Sequence, residues 1–302
     1  MSYVYYPGCS LKGSAKAYEE SLLAVFETLG EGLDELDDWN CCGATAYSSV
    51  DEKKAFTLAA RNLALAEVGT QGSASVDLVA PCAGCYLVLL KTQRYLKEYA
   101  AVGERVDGAL QAGGLRYDGR VRVRHPLDVL VNDIGVERIA AAVTRPLGGI
   151  RVACYYGCQV LRPYATFDDP HKPTSLDRLM EAVGAEPIDW PLKMRCCGGS
   201  LIATMPQAGL RLSSILLREA RKRGADVLVT LCPLCQFNLE CFQDRMSREL
   251  GEPVDLTVGF FTQVLGLALG LDERRLGIHR MLRWQLPEPR LVAAQGGVHA
   301  HV

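Results

Sequence analysis

Val76-Asp77-Leu78-Val79-Ala80-Pro81-Cys82-Ala83-Gly84-Cys85 is answered later in the chain by Ala225-Asp226-Val227-Leu228-Val229-Thr230-Leu231-Cys232-Pro233-Leu234-Cys235, with Cys82 and Cys232 standing 150 positions apart. Each stretch is an apolar run that ends in Cys-x-x-Cys. A run that is apolar at nearly every position reads as a strand of a parallel sheet covered on both faces. Open α/β sheets carry their ligands beyond the carboxyl ends of such strands, which is where these cysteines fall. Working outward, Tyr3-Val4-Tyr5-Tyr6-Pro7-Gly8-Cys9 is matched by Arg151-Val152-Ala153-Cys154-Tyr155-Tyr156-Gly157-Cys158, and Asp38-Trp39-Asn40-Cys41-Cys42-Gly43 by Asp189-Trp190 and, after a short insertion, Cys196-Cys197-Gly198. Three signatures in one order mean an internal duplication, with domains expected at 1–148 and 149–302.

Between the signatures the apolar spacing alternates between strand-like and helical, in the same order in both halves. Strands are predicted over 3–6, 76–80, 152–156 and 227–231. One predicted helix is capped by Ser14 and carries Tyr18, Leu22, Val25, Phe26 and Leu29 before Gly30; others run over 51–68, 175–183 and 207–223. The Gly-rich stretch 103–119 reads as an exposed loop. Segments 121–134 and 256–269 correspond more weakly, His125-Pro126-Leu127-Asp128-Val129-Leu130 being set against Phe260-Phe261-Thr262-Gln263-Val264-Leu265. The end of the chain, with Gly296, Gly297, His299 and His301, reads as a solvated tail. The expected fold class is α/β: two homologous domains, each a small, mostly parallel sheet flanked by helices.

Composition narrows the function. A formal charge of -2 and 49% apolar residues over 302 positions suit neither a disordered chain nor a basic nucleic-acid surface. No run of ~18 apolar residues predicts a membrane span, and the first residues lack a secretory pattern, so a cytoplasmic location is the expectation. Twelve cysteines in a reducing compartment point to metal binding or redox work rather than structural disulfides.

Cys-x-x-Cys after a strand serves zinc, an iron-sulfur cluster or a redox dithiol. The adjacent pairs Cys41-Cys42 and Cys196-Cys197 bring each half to five thiols, one more than a structural zinc uses, and a core of several metal ions takes up that surplus. Gly43 and Gly198 allow the backbone to approach such a core. Zinc, a dithiol and buried free thiols remain the alternatives. Cys154 and Cys241 stand outside the repeat; packing on a helix is expected for Cys241, and Cys154 is left between spare ligand, reactive thiol and packing. Lys12, Arg162 and Arg195 lie near the cysteines in sequence and can meet carboxylate or phosphate groups of a ligand, or else are solvated or pair with local acids. Tyr6, Tyr155 and Tyr156 precede proposed ligands and are expected to line the cavity or pack beside it.

These signatures resemble the B subunit of heterodisulfide reductase and, more broadly, the cysteine-rich CCG-domain proteins, over nearly the whole chain. The resemblance implies two noncubane [4Fe-4S] clusters, one on Cys9, Cys41, Cys42, Cys82 and Cys85, the other on Cys158, Cys196, Cys197, Cys232 and Cys235. It also implies an oxidoreductase that interconverts a small-molecule disulfide and thiols between the two clusters. The interval between Cys42 and Cys82 holds 39 residues against 34 between Cys197 and Cys232, longer than the family's usual spacing. No Cys-x-x-Cys-x-x-Cys-x-x-x-Cys-Pro run is present, so cubane clusters would belong to a ferredoxin-like iron-sulfur subunit, with a flavin subunit as a further partner. Competing readings are an electron-transfer subunit of a sulfur, glycolate or lactate oxidation system, and a zinc-stabilised scaffold.

Overall fold

The apolar runs pair side by side in parallel sheets, which satisfies their backbone groups while burying both faces. The computed structural model describes residues 2–44, 46–70 and 74–289. Strands β1 (Ser2–Tyr5), β2 (Gly32–Glu35), β3 (Val76–Val79) and β4 (Val121–Arg124) form one sheet in the order β2-β1-β3-β4. Strands β5 (Arg151–Tyr155), β6 (Glu186–Pro187), β7 (Val227–Thr230) and β8 (Thr257–Phe260) form a second, β6-β5-β7-β8. Every pairing is parallel, and the two orders are identical, so the duplication extends to topology.

Register settles the weakest part of the repeat. Val79 pairs with Arg124 and Val229 with Gly259, and Val79 and Val229 stand at equal distance before Cys82 and Cys232. Arg124 is therefore the counterpart of Gly259 and His125 of Phe260, in agreement with the match drawn from the sequence.

The helices Glu52–Val68, Ser175–Ala182 and Pro206–Lys222 agree with expectation to within a residue, and Asp51 caps the first of them by accepting the Lys54 N–H at 3.2 Å. Two expectations fail. Ser14 does not cap the helix Lys16–Thr28, whose N-cap is Ala15; the Ala15 N–H donates to the Ser10 carbonyl at 2.8 Å, so the turn left by the short helix Gly8–Lys12 starts it. Most of 103–119 is not a loop but the end of the helix Ala100–Ala112. Val106 and Leu110 pack against Phe56, Ala60 and Ala64, which outweighs the roughly 1 kcal/mol each glycine costs a helix. Gly103 is needed there because a Cβ would stand 3.1 Å from the Leu96 carbonyl oxygen. The tail with Gly296, Gly297, His299 and His301 lies outside the described residues.

The principal core runs through both halves. The helix that follows the first strand of each half packs against the helices that follow the last strand of the other. Lys16–Thr28 meets Phe261–Ala268, and Ser175–Ala182 meets Pro126–Asp128 and Val136–Ala142. Within the first exchange the Ser21 and Thr262 hydroxyls are 2.6 Å apart, and Arg280 forks onto Glu20. Among the described residues no helix is long and apolar enough to cross a membrane.

Candidate metal centre

In the first half, three segments at the carboxyl edge of the sheet converge. Cys9 is exposed on Gly8–Lys12, while Cys82 caps the helix Ala83–Glu98 and Cys85 lies buried in its first turn. The loop after β2 delivers exposed Cys41 and buried Cys42, whose Sγ is 3.1 Å from that of Cys85. Tyr6 sits beneath, its buried ring under the charge of Cys85, Cys42, Cys41 and Cys9. Its hydroxyl donates to the Asn40 carbonyl at 2.8 Å, which anchors the backbone just before the cysteine pair. Asn62 closes the anchor by donating to the same carbonyl at 3.0 Å and accepting the Asn40 N–H at 2.9 Å.

The second half repeats this plan with different supports. Cys197 and Cys235 have their sulfurs 3.3 Å apart, and Tyr155 donates to the Arg195 carbonyl at 2.6 Å, the counterpart of the Tyr6 bond. Trp39 meets Tyr6 edge-on at 5.8 Å and Trp190 meets Tyr155 at 6.1 Å, which gives the paired Asp-Trp signatures their purpose. Ser213 donates to the Cys197 carbonyl at 2.7 Å, and Asn238 donates to the Gly199 carbonyl at 2.8 Å and towards the Cys197 sulfur at 3.6 Å. Asn62, Ser213 and Asn238 are not among the residues the sequence singles out; their one signal is a polar residue on an otherwise apolar helix face.

Other candidates divide. Tyr156 does not line the cavity: its hydroxyl donates to Asp177 at 2.8 Å. Cys154 is fully buried in β5, facing Asp177 and Lys193, because successive strand residues point to opposite faces and its neighbour Tyr155 takes the thiol side. Cys241, expected to pack, is instead exposed at the end of its helix beside Glu240. Lys12 is held 2.6 Å from both Glu19 and Glu35. Arg162 donates to the Met194 carbonyl, keeps an unpartnered buried Nε, and acts electrostatically on Cys158. Arg195 is exposed next to Cys196.

The two sites meet. Across the junction of the halves the Cys82 and Cys232 thiols shift one another, Cys82 downwards and Cys232 upwards. Buried His125 holds both turns. Its Nδ1 accepts the Leu127 N–H at 3.2 Å, so Nε2 carries the proton, towards the carbonyl of Pro81 at 3.2 Å and that of Leu231. Those carbonyls immediately precede Cys82 and Cys232.

Burial holds the His125 pKa down to about 4, below its usual value of about 6.5. The folded chain then binds fewer protons than the unfolded one, so this contribution to stability is complete above pH ~6.5 and is lost as pH falls towards 4. Between pH 7 and 5 the metal-free chain is expected to lose about 2 kcal/mol from this group, seen as a drop in the urea midpoint. His125→Phe, which installs the residue found at its counterpart Phe260, should remove that part of the slope; an unchanged slope would disprove the assignment.

The sulfurs divide: Cys42, Cys82 and Cys197 are pushed down, while Cys41, Cys85, Cys158, Cys196, Cys232 and Cys235 are pushed up. Hydrogen bonds from Cys41 and Cys85 hold the Cys42 thiol down to about 4, and those from Cys196 and Cys235 hold Cys197 down to about 3. The thiolate is the metal-binding form of cysteine. Gly8 and Gly157, with φ of 64° and 72°, keep the space beside the sulfurs open: a Cβ would stand 3.1 Å from Cys85 Sγ and 3.5 Å from Cys235 Sγ. Among the described residues no three His, Cys, Asp or Glu side chains close on one point as a single ion requires. Five thiols around a glycine-lined space fit an iron-sulfur cluster, which is held by thiolates.

Gly198 has φ of 101°, and a Cβ there would lie 3.0 Å from both the Cα and the carbonyl oxygen of Gly209. Gly198→Ala is expected to cost about 1–2 kcal/mol in backbone strain alone and to lower metal uptake at the second site. Gly43, whose nearest obstacle is 3.3 Å away, should tolerate alanine better. Urea melts and metal content of the two variants test the ranking.

Fold and site together define a duplicated parallel α/β protein with a cluster of cysteines at the carboxyl edge of each sheet. The family described as Cysteine-rich domain (CCG) matches residues 3–90 and 152–240, and the chain belongs to it. It is 30% identical over 279 residues to the 8-methylmenaquinol:fumarate reductase membrane anchor subunit of Wolinella succinogenes, covering 92% of this chain and 95% of that one. It is also 30% identical, over 283 residues, to an Archaeoglobus profundus protein described as like the B subunit of heterodisulfide reductase, covering 91% and 93%. The B subunit of a ferredoxin/F(420)H(2)-dependent CoB-CoM heterodisulfide reductase from Methanosarcina acetivorans is 28% identical over 90% of this chain and 91% of its own. The fold recurs in a solved hypothetical protein from Helicobacter pylori at a TM-score of 0.73 and 16% identity; the match covers 92% of this chain and spans about half of that structure, 51%.

Proposed function

We propose that the chain is the catalytic iron-sulfur subunit of a heterodisulfide reductase-like complex, acting on a small disulfide or thiol between two noncubane [4Fe-4S] clusters. The ten cysteines of the two repeats would hold them, five in each half, with 1–148 and 149–302 as the two domains. The observation that carries this reading is the His125 ring, which reaches the Pro81 carbonyl at 3.2 Å and that of Leu231, and so brings the turns of Cys82 and Cys232 to one junction. Bound clusters would supply one-electron chemistry there. The chain's own residues do the rest. Tyr6 and Tyr155 fix the cysteine pairs, His125 ties the two Cys-x-x-Cys turns, and Arg162 offers its free Nε–H to an anionic substrate beside Cys158. A ferredoxin-like iron-sulfur subunit and a flavin subunit are the expected partners, in the cytoplasm.

A second reading makes the chain an electron-transfer subunit that meets no substrate. The capture of Lys12 by Glu19 and Glu35 favours it, as does the 30% identity to the fumarate reductase subunit. Iron and acid-labile sulfide analysis tests the clusters: matched iron and sulfide are expected, and stoichiometric zinc without sulfide would overturn both readings. Electron paramagnetic resonance then separates them. A signal of the oxidised protein that changes on adding thiols supports direct substrate contact, and a signal indifferent to every thiol tried supports electron transfer alone.

A further inference from the structure

Tyr18 lies within Lys16–Thr28, its ring fully buried, stacked on Phe260 at 4.3 Å and 6° and edge-on to Phe261 at 6.1 Å. Its hydroxyl is buried and has no hydrogen-bond partner among the described residues. An unpaired buried hydroxyl is destabilising, and phenylalanine would fill the same apolar stack without that cost. Phe260, on which the ring stacks, pairs with Thr230, two residues before Cys232, and the charges nearest the hydroxyl are those of Cys232 and then Cys82. Burial, followed by these thiols, raises its pKa, so it stays protonated and can only gain by donating.

The arrangement is one-sided. His125 is the counterpart of Phe260, and the ring stacked over His125, at 6.4 Å and 11°, is Phe167, which has no hydroxyl. At this ring position the two halves thus differ by one buried hydroxyl, in addition to the Asn238 amide that faces Cys197.

Resting on the reading that both sites carry clusters, we propose that the Tyr18 hydroxyl donates a hydrogen bond to a sulfur at the junction, the Cys232 thiolate or an inorganic sulfide beside it, and makes the second cluster easier to reduce than the first. A donor beside a cluster sulfur stabilises the additional negative charge of the reduced state, and hydrogen bonds to sulfur are among the protein's means of setting cluster potentials. Tyr18 is on this account a positioning residue for electrons, outside the ligand set.

The test uses the full chain loaded with iron and sulfide, as wild type and as Tyr18→Phe, which keeps the ring and its stack. Unchanged iron and sulfide per chain are expected, together with a more negative midpoint potential for the second cluster in a reductive titration. A Cys42→Ser background, with the first site disabled, assigns that shift. Wild type should also show a proton hyperfine coupling that disappears in deuterated buffer and is missing from Tyr18→Phe. Unchanged potentials, a shift confined to the first cluster, or no such coupling in wild type would overturn the proposal, as would a Tyr18→Phe chain that takes up no iron. Wild type free of iron and sulfide would instead overturn the cluster reading on which it rests.

Discussion

Cys197→Ser is expected to remove about half of the chain's iron and acid-labile sulfide, the share of one of two [4Fe-4S] centres, and to abolish any reaction that needs both sites. Cys197 is the most heavily supported sulfur of its half. It is buried, has its sulfur 3.3 Å from that of Cys235, faces the Gly199 N–H at 3.4 Å and the Asn238 amide at 3.6 Å, and its pKa is held down to about 3 by Cys196 and Cys235. A serine hydroxyl keeps its proton at neutral pH and reaches less far, so the donors would face a neutral group and the metal would lose a charged ligand. Cys42→Ser should do the same to the first site, where Cys41 and Cys85 play the parts of Cys196 and Cys235. Cys154→Ser is the control. That thiol faces Asp177 and Lys193, so iron per chain should not change even if the fold loses stability. Full iron and sulfide in Cys197→Ser would sink the ligand assignment.

Arg124→Ala is expected to destabilise the chain by about 3–5 kcal/mol, the cost of removing one partner from a buried ion pair. Arg124 ends β4 with its side chain only 6% exposed, bonded to Asp128 and, at 3.0 Å, to Asp133. Burial works against the guanidinium, but the hydrogen bonds it donates to Asp128 and Asp133 prevail and its pKa rises. The π-helical turn Val129–Gly135 carries Asp133 back to this point, where it also accepts from Tyr3 of β1 at 3.1 Å. Alanine would strand these carboxylates next to the strand that leads into His125. Urea denaturation of the metal-free chain measures the loss. Adding Asp128→Asn and Asp133→Asn to Arg124→Ala should recover part of it, because neutral amides tolerate the absence of the cation. A single variant within 1 kcal/mol of wild type, roughly the worth of an exposed pair, would show that the cluster is not energetically buried.

How far the sequence can be read depends on the range of the interactions. The strands before Cys9, Cys82, Cys158 and Cys232 are legible because a doubly buried strand is written in consecutive residues. Gly43 and Gly198 are legible because positive φ, here 78° and 101°, restricts the residue type on the spot. The helix Ala100–Ala112 reads as a loop because its glycines speak against it locally, and only packing on Phe56 and Ala60 answers them. Whether Tyr156 lines the cavity or packs beside it is not legible, because two adjacent tyrosines offer no local clue to which one Asp177 takes. Asn62, Ser213, Asn238 and Tyr18 are invisible as site residues, since each acts on a segment distant in sequence.

Two sets of five cysteines, each tied to the ends of buried strands, can be recognised in the linear order of residues, because turns, strands and thiol spacing are properties of short segments repeated in register. That the two sets face one another cannot. The facing arrangement comes from helices packed across the halves, through contacts such as Ser21 with Thr262, 241 residues apart in the chain. No local pattern encodes a partner at that distance.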